Sequence, residues 1–456
     1  MNIKSLTLAL AVSVFITGCA VGPDYQRPEQ TALIEFRHVD GWKNAAPQLA
    51  AGDANAWLVF ADGYLNQLVQ QLNDNNQSLA AAEAAWRESR ALVGGSRSAL
   101  FPQLDAKVSS SRRGVESGIS KTNDASLGLS WQLDVWGKVR RQVEASEANL
   151  AASEADWAAM RLSLQSELVQ NYVQLRVLDQ HIRLYDLTLK AYERSLQLTE
   201  NRYKAGVANR SDVTQALTQL KSTQAQRLDL DWQRSRYEHA IALLLGLTPA
   251  QFRIAANQQI PQVQPVPVGL ASRLLERRPD IAAAEAKVIA ANAEIGVAKA
   301  AYFPDFTLNA AGGYQNNQMA HWLTAPNRFW SLGPSFALTL FDAGARKARL
   351  EQSRARYDQT VAQYRQTTLV AIREVEDALA QLQVLERAMQ VEQEALTAAQ
   401  ENLRLFNNQY QQGMVDYLSV VNAQTAALSA ERSLLSSQST YLAVTAQLIA
   451  ALGGDW

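Results

Sequence analysis

The chain of 456 residues has one cysteine, so it can form no internal disulfide. Its four histidines, at 38, 181, 239 and 321, are too scattered to suggest a metal cluster. Neither sign of charge dominates. Lys and Arg number 43 against 44 Asp and Glu, a net charge of -1, which leaves no global basic field to hold nucleic acid. Turn formers are also few, with 22 glycines and 12 prolines, and no proline falls between 103 and 248 or between 335 and 456. Two or three ordinary compact domains would need more of them, so long uninterrupted elements are expected. The motifs G-x-x-x-x-G-K-[ST], H-E-x-x-H, G-x-S-x-G and C-x-x-C are missing. No catalytic constellation appears, and no cofactor is expected.

The one cysteine is informative through its position. Lys4 precedes an apolar run from Leu6 to Ile16, and Thr17-Gly18 lead into Cys19. Residues 1–18 read as a secretory signal, too short to span a membrane as a helix. The small residues before Cys19 resemble the lipobox of bacterial lipoproteins. That likeness implies a diacylglycerol and an N-acyl chain on Cys19, while Ala20 in place of Asp favours export to the outer membrane. Several acyl chains at about 0.8 kcal/mol per buried methylene would anchor the amino terminus stably.

The chain is duplicated. Ala81-Ala82-Glu83, Gly94 and Phe101-Pro102 return as Ala283-Ala284-Glu285, Gly296 and Phe303-Pro304 at a shift of 202. The shift then becomes 207, matching Tyr203 with Tyr410, Gly206 with Gly413 and Leu245-Gly246 with Leu452-Gly453. Two copies of one large unit therefore follow each other.

Hydrophobic periodicity defines the elements within each copy. From Leu164 to Tyr203, apolar residues recur at alternating steps of 4 and 3, with only Asn171 and Thr199 as exceptions; from Ala371 to Tyr410 only Glu392 interrupts. These heptad seams predict helices over 137–205 and 344–412, each about 100 Å long at about 1.5 Å per residue. Each ends at a glycine three residues after a tyrosine, and a second helix returns over 211–246 or 418–452. Small residues such as Ala423, Ala427 and Ala430 on the last of these allow close helix approach.

Between the helices lie strictly alternating runs. Leu127, Leu129, Trp131 and Leu133 share one face with Phe306, Leu308, Phe336, Leu338 and Leu340, and the opposite face carries Ser, Gly, Gln, Thr and Asn. Aromatics gather near the strand ends at Trp136, Phe303, Phe329, Trp330 and Phe341, as in the girdles of a transmembrane barrel. A sheet with one face on a soluble core would alternate in the same way, but the export signal favours the membrane. Four strands are predicted, at 102–115, 125–136, 304–315 and 329–342, with loops 116–124 and 316–328 facing outward. Four strands cannot close a barrel, and open edges in lipid leave backbone groups unpaired. Two chains would give eight strands around a side-chain-filled interior; three would give twelve and a lumen.

Taken together, these features resemble the TolC-type outer-membrane efflux channels, in particular the lipoprotein branch that partners resistance-nodulation-division pumps. Cys19-Ala-Val-Gly-Pro-Asp-Tyr-Gln-Arg-Pro28 is similar to that branch's mature start, and Leu274-Leu-Glu-Arg-Arg-Pro-Asp-Ile281 to its internal signature. The resemblance implies a mixed fold dominated by long α-helices, in which a homotrimer completes a twelve-stranded barrel above a coiled-coil tunnel. It also implies a periplasmic adaptor, an inner-membrane pump and outer-membrane lipid as partners. The expected division is a signal peptide at 1–18 and an anchor with an N-terminal equatorial segment and the start of the first helix at 19–80. Repeat 1 follows at 81–246 with its hairpin over 137–246, then a Pro-rich equatorial linker at 247–271, and repeat 2 at 272–456 with its hairpin over 344–452. The family's adaptor-docking turns correspond to Gly206, Val207, Gly413 and Met414, and its periplasmic gate to Tyr410, Asp416, Leu418, Asn422 and Asp212. Leu418 fits an apolar constriction. The family commonly has Asp where Asn422 stands, so a cation-selective gate would draw on Asp416 or Asp212. The alternative is a lipid-anchored coiled-coil scaffold that spans the periplasm without a pore.

Overall fold

The computed structural model describes residues 20–28, 56–116, 118–257, 259–263, 278–318 and 323–454. Cys19, the signal segment, His38, His321 and most of the Leu274–Ile281 signature before Arg278 lie outside them, as does 264–271 of the linker. The order is a 3-10 turn (Ala56–Phe60), α1 (Gly63–Asn75), α2 (Gln77–Ser98), β1 (Gln103–Val115), β2 (Gly118–Leu133), α3 (Lys138–Lys204) and α4 (Arg210–Leu244). Then come α5 (Pro279–Ala300), β3 (Asp305–Asn316), β4 (Arg328–Ala337), α6 (Ala345–Gln411) and α7 (Tyr417–Ala451). The mostly helical fold with a tandem repeat is the one expected, and the long helices end within two residues of their predicted limits.

The described chain divides into two units. The first contains Ala82–Asp156, Asp280–Thr367 and the segment before Gln30; the second contains Thr31–Ala81, Trp157–Pro279 and Thr368–Trp456. The first unit holds one antiparallel sheet in the order β1-β2-β3-β4. Its register places Leu104 opposite Leu129, Trp131 opposite Leu308, Leu133 opposite Phe306, and Phe306 opposite Phe336. Directly paired residues project to the same side, so the alternating apolar positions of all four strands form one continuous apolar face.

Three strand boundaries differ from expectation by more than a residue, and one of them is the end of β2 at Leu133, short of 136. β2 starts at Gly118, not 125, because Val115 pairs with Gly118 and the ladder continues through Ser109 opposite Asp124. Residues 118–124 carry one large apolar side chain, Ile119, and are otherwise glycine or polar, so no alternation marked them, yet their backbones pair fully with β1. Of the predicted loop 116–124, residues 118–124 therefore belong to β2. β4 starts at Arg328 and ends at Ala337, short of 342, because its partner β3 begins at Asp305, which sits opposite Ala337.

The amino-terminal segment is fixed to this unit. Val21 N–H donates to Trp136 O at 3.0 Å, Asn292 Nδ2 donates to Pro23 O at 3.0 Å, and Tyr25 OH donates to Glu285 at 3.0 Å. Arg27 meets the same Glu285 at 2.6 Å, and buried Arg141 meets Asp24 at 2.7 Å. Burial, and then the Glu285 carboxylate, push the Tyr25 hydroxyl well above its ordinary pKa.

The second unit has its core where α1 packs on the middle of α3 and on the ends of the returning helices. Leu65, Leu68 and Leu72 meet Leu168, Tyr172, Leu175, Ile241, Leu379, Leu382 and Leu448, all essentially inaccessible to solvent. Each such side chain contributes about 1.5–3 kcal/mol by burial. The heptad positions Leu168, Leu175, Tyr185 and Tyr192 on α3 are buried, as are Ala423 and Ala427 on α7. Asp179 ties the connector after α4 to this core: Arg234 Nε donates to it at 2.7 Å, Asn257 N–H at 3.0 Å and Arg176 at 3.4 Å. Among the described residues no helix is long and apolar enough to cross a membrane.

Candidate functional site

The two helical hairpins turn by the same device. At the first tip Val207 N–H donates to Arg202 O at 2.9 Å and Gly206 N–H to Tyr203 O at 2.9 Å; at the second, Met414 N–H donates to Gln409 O at 2.9 Å and Gly413 N–H to Tyr410 O at 3.0 Å. This double closure needs a left-handed residue at its centre. Gly206 and Gly413 supply it with φ of 76° and 78°. The residues after them, Val207 at 64% and Met414 at 65% relative exposure, project into solvent in the single chain. The four expected docking residues thus form two matching exposed turns.

The five expected gate residues separate into three groups. Leu418 and Asn422 lie one helical turn apart on an exposed stripe of α7. Asp416 and Asp212 serve helix starts. Asp416 is the N-cap of α7 and accepts from Ser419 N–H at 3.0 Å and Ser419 Oγ at 2.6 Å. The Ser419 hydroxyl, reinforced by backbone N–H groups, holds the Asp416 carboxyl below the usual range, so it stays ionised. Asp212 accepts from the Asn209 N–H at 3.2 Å in the first turn of α4.

Tyr410 belongs to neither group, for it is buried at 4% relative exposure between the two hairpins. Arg202 Nη1 of the first hairpin donates to Tyr410 O at 2.5 Å, and the Arg202 guanidinium lies 4.6 Å from the Tyr410 ring centroid. The Tyr410 hydroxyl is 3.2 Å from Thr199 Oγ1. Its ring stands 5.5 Å from that of Tyr417, whose hydroxyl accepts from Ser195 Oγ at 3.3 Å. Ala216, Val420 and Val421 complete a small apolar cluster around the two tyrosines. Burial raises the Tyr417 pKa, keeping it a neutral hydrogen-bonding group. The result is a latch across two turns of the same chain, distinct from the exposed stripe with Leu418.

Sequence reasoning passed over Arg202, Thr199 and Ser195. A signal did exist: Asn201-Arg202-Tyr203 matches Asn408-Gln409-Tyr410 except at its centre, and Thr199 corresponds to Phe406. Where duplicated units diverge, their partners differ, and here the divergent side chains of the first copy hold the second.

The fold has well-described relatives. Residues 68–247 and 270–454 match the family described as "Outer membrane efflux protein". The probable efflux pump outer membrane protein TtgC of Pseudomonas putida is 33% identical over 465 residues, covering 99% of this chain and 96% of that one. The cation efflux system protein CusC of Escherichia coli O157:H7 is 30% identical over 457 residues, with 98% of each chain covered. The solved outer-membrane channel OprN matches with a TM-score of 0.90 at 31% identity, over 96% of this chain and 100% of that one. With both repeats matched and its four-stranded sheet and paired hairpins in place, this chain belongs to the outer membrane efflux protein family.

Proposed function

We propose that three copies of this chain complete one twelve-stranded barrel in the outer membrane and act as a passive conduit for drugs or other small toxic molecules. The observation that carries this reading is the open sheet. Within the chain β1 and β4 each pair on one side only, while the face they frame is apolar. Unpaired strand edges cost several kcal/mol per group in lipid, and neighbouring copies remove that cost. The relatives are named as efflux components, one for cations, and this supports a periplasmic adaptor and an inner-membrane pump as partners. The exposed turns at Val207 and Met414 suit adaptor docking. The Tyr410 latch suits a closed periplasmic end that opens when the hairpins shift apart.

Acylation of Cys19 fits the same reading, since the residues that follow it are pinned beside Trp136, which stacks on Phe303 at 4.7 Å at the end of the sheet. Acyl chains attached there would enter the leaflet nearest the helices. Conductance in a planar bilayer tests the conduit. The wild-type chain is expected to pass small current, and the Arg202→Ala, Thr199→Val double variant severalfold more. Absence of current from both would favour a scaffold without a pore.

A further inference from the structure

The apolar face of the sheet changes character at the end away from the helices. Followed along β1 and β2, it runs through Leu104, Ala106, Val108, Leu127 and Leu129, then through Ser110 and Asn123, and then reaches Arg112 and Lys121, which sit directly opposite each other. Ser110 Oγ donates to Asn123 Oδ1 at 2.8 Å and Asn123 Nδ2 to Asn316 O at 3.2 Å, a polar belt that closes on itself above the apolar zone. On β4 the same face ends in Arg328, opposite Tyr314. Among the described strand residues, this face carries three cations, Arg112, Lys121 and Arg328, and no carboxylate; Asp105, Asp124 and Asp305 all fall on the opposite face by register. No ion pair joins any of the three cations to a described residue. A soluble surface ordinarily intersperses both signs, so a face whose only charges are the facing pair Arg112 and Lys121 and, level with Ala125 and Val108, Arg328 is a footprint for anionic groups at the membrane surface.

A groove leads to Arg328. Small residues on neighbouring strands, Ala106 and Gly312 on either side of Leu127, leave a depression of about 520 Å³ that also reaches Val108, Tyr314 and, at its end, Arg328. A groove with apolar walls and a guanidinium at its end suits a molecule with an acyl chain and a negatively charged headgroup. Arg favours phosphate oxygens, which its planar fork meets in pairs.

We propose that this wall of the sheet binds a phosphate-bearing lipid of the outer leaflet, with one acyl chain lying along the groove at Gly312, one headgroup phosphate held by Arg328 at the groove's end and a second by the facing pair Arg112 and Lys121. The site rests on this face being the one turned to lipid. It does not depend on the conduit being open or on what it carries.

Lipid retention tests it without any conductance measurement. The full chain is purified in detergent, incubated with bis-phosphorylated lipid A, washed, and assayed for bound lipid by native mass spectrometry. Parallel samples use the same lipid with its phosphates removed, or add millimolar inorganic phosphate as competitor. The wild type is expected to keep the bis-phosphorylated lipid and to lose the dephosphorylated one. Arg112→Gln, Lys121→Gln and Arg328→Gln together are expected to cut retention at least tenfold, and added NaCl to weaken it. Gly312→Leu keeps all three cations and fills the groove. A Cβ there meets only Phe329 O at 3.7 Å, so the substitution is sterically admissible, and retention is expected to fall severalfold. Equal retention by wild type and triple variant overturns the site. Full displacement by inorganic phosphate, or undiminished retention in Gly312→Leu, overturns the lipid and leaves only an anion patch.

Discussion

Asp179 is 4% exposed and takes hydrogen bonds from Arg234, Arg176 and the Asn257 N–H, so three donors depend on one carboxylate. Replacing it by Ala strands the buried Arg176 guanidinium, whose remaining acceptor in this cluster is Ala255 O at 2.9 Å. Breaking a buried pair from one side costs about 3–5 kcal/mol. Asp179→Ala is therefore expected to lower the thermal unfolding midpoint clearly, while Asp179→Asn, which keeps one acceptor oxygen, loses less. The duplicated glycines give a sharper contrast. A methyl group added at Gly94 would meet nothing within 4 Å, whereas at Gly296 a Cβ would stand 2.8 Å from Arg141 Cγ and 2.9 Å from Val21 O. Gly94→Ala should stabilise by up to about 1 kcal/mol through helix propensity. Gly296→Ala should destabilise by displacing the amino-terminal segment, a difference of sign that chemical unfolding of the two variants would read.

Among the helices, His181 on α3 provides a pH signature. Burial, and then the nearby Arg432 charge, depress its pKa to about 4 from 6.5. The unfolded chain therefore binds a proton between pH 6.5 and 4 that the folded chain refuses. Stability contributed by neutral His181 is complete above pH 6.5 and drains away as pH falls toward 4. His181→Gln should flatten the pH dependence of the unfolding midpoint across that window. The helices and the apolar wall were legible in the sequence because their periods of about 3.5 and 2 are written in residue type, and one seam position, Leu175, is wholly buried as the pattern requires. The first seven residues of β2 were not legible, since only Ile119 among them is apolar and Ser120, Thr122 and Asp124 enclose the equally polar Lys121 and Asn123, so backbone pairing alone places them. The latch was hidden for another reason: Arg202 and Tyr410 are 208 residues apart and meet only once both hairpins have folded. The cap at Asp416 is written in the sequence through Ser419 three residues on, a helix-start signal that competes with the reading of Asp416 as a gate charge.

At the scale of the whole molecule, the proposed assembly rests on the open four-stranded sheet. Cys19→Ser is expected to abolish palmitate labelling while the strands still associate, because pairing of β1 with β4 needs no acyl chain; labelling that persisted in the variant would remove Cys19 as the modified residue. The central claim is that a single copy cannot seal itself in lipid. Its most direct test is the mass of the detergent-extracted, uncrosslinked complex by native mass spectrometry. The account requires three times the mass of one mature chain, with no stable monomer retaining strand structure. A folded, membrane-extracted particle containing one copy would contradict it.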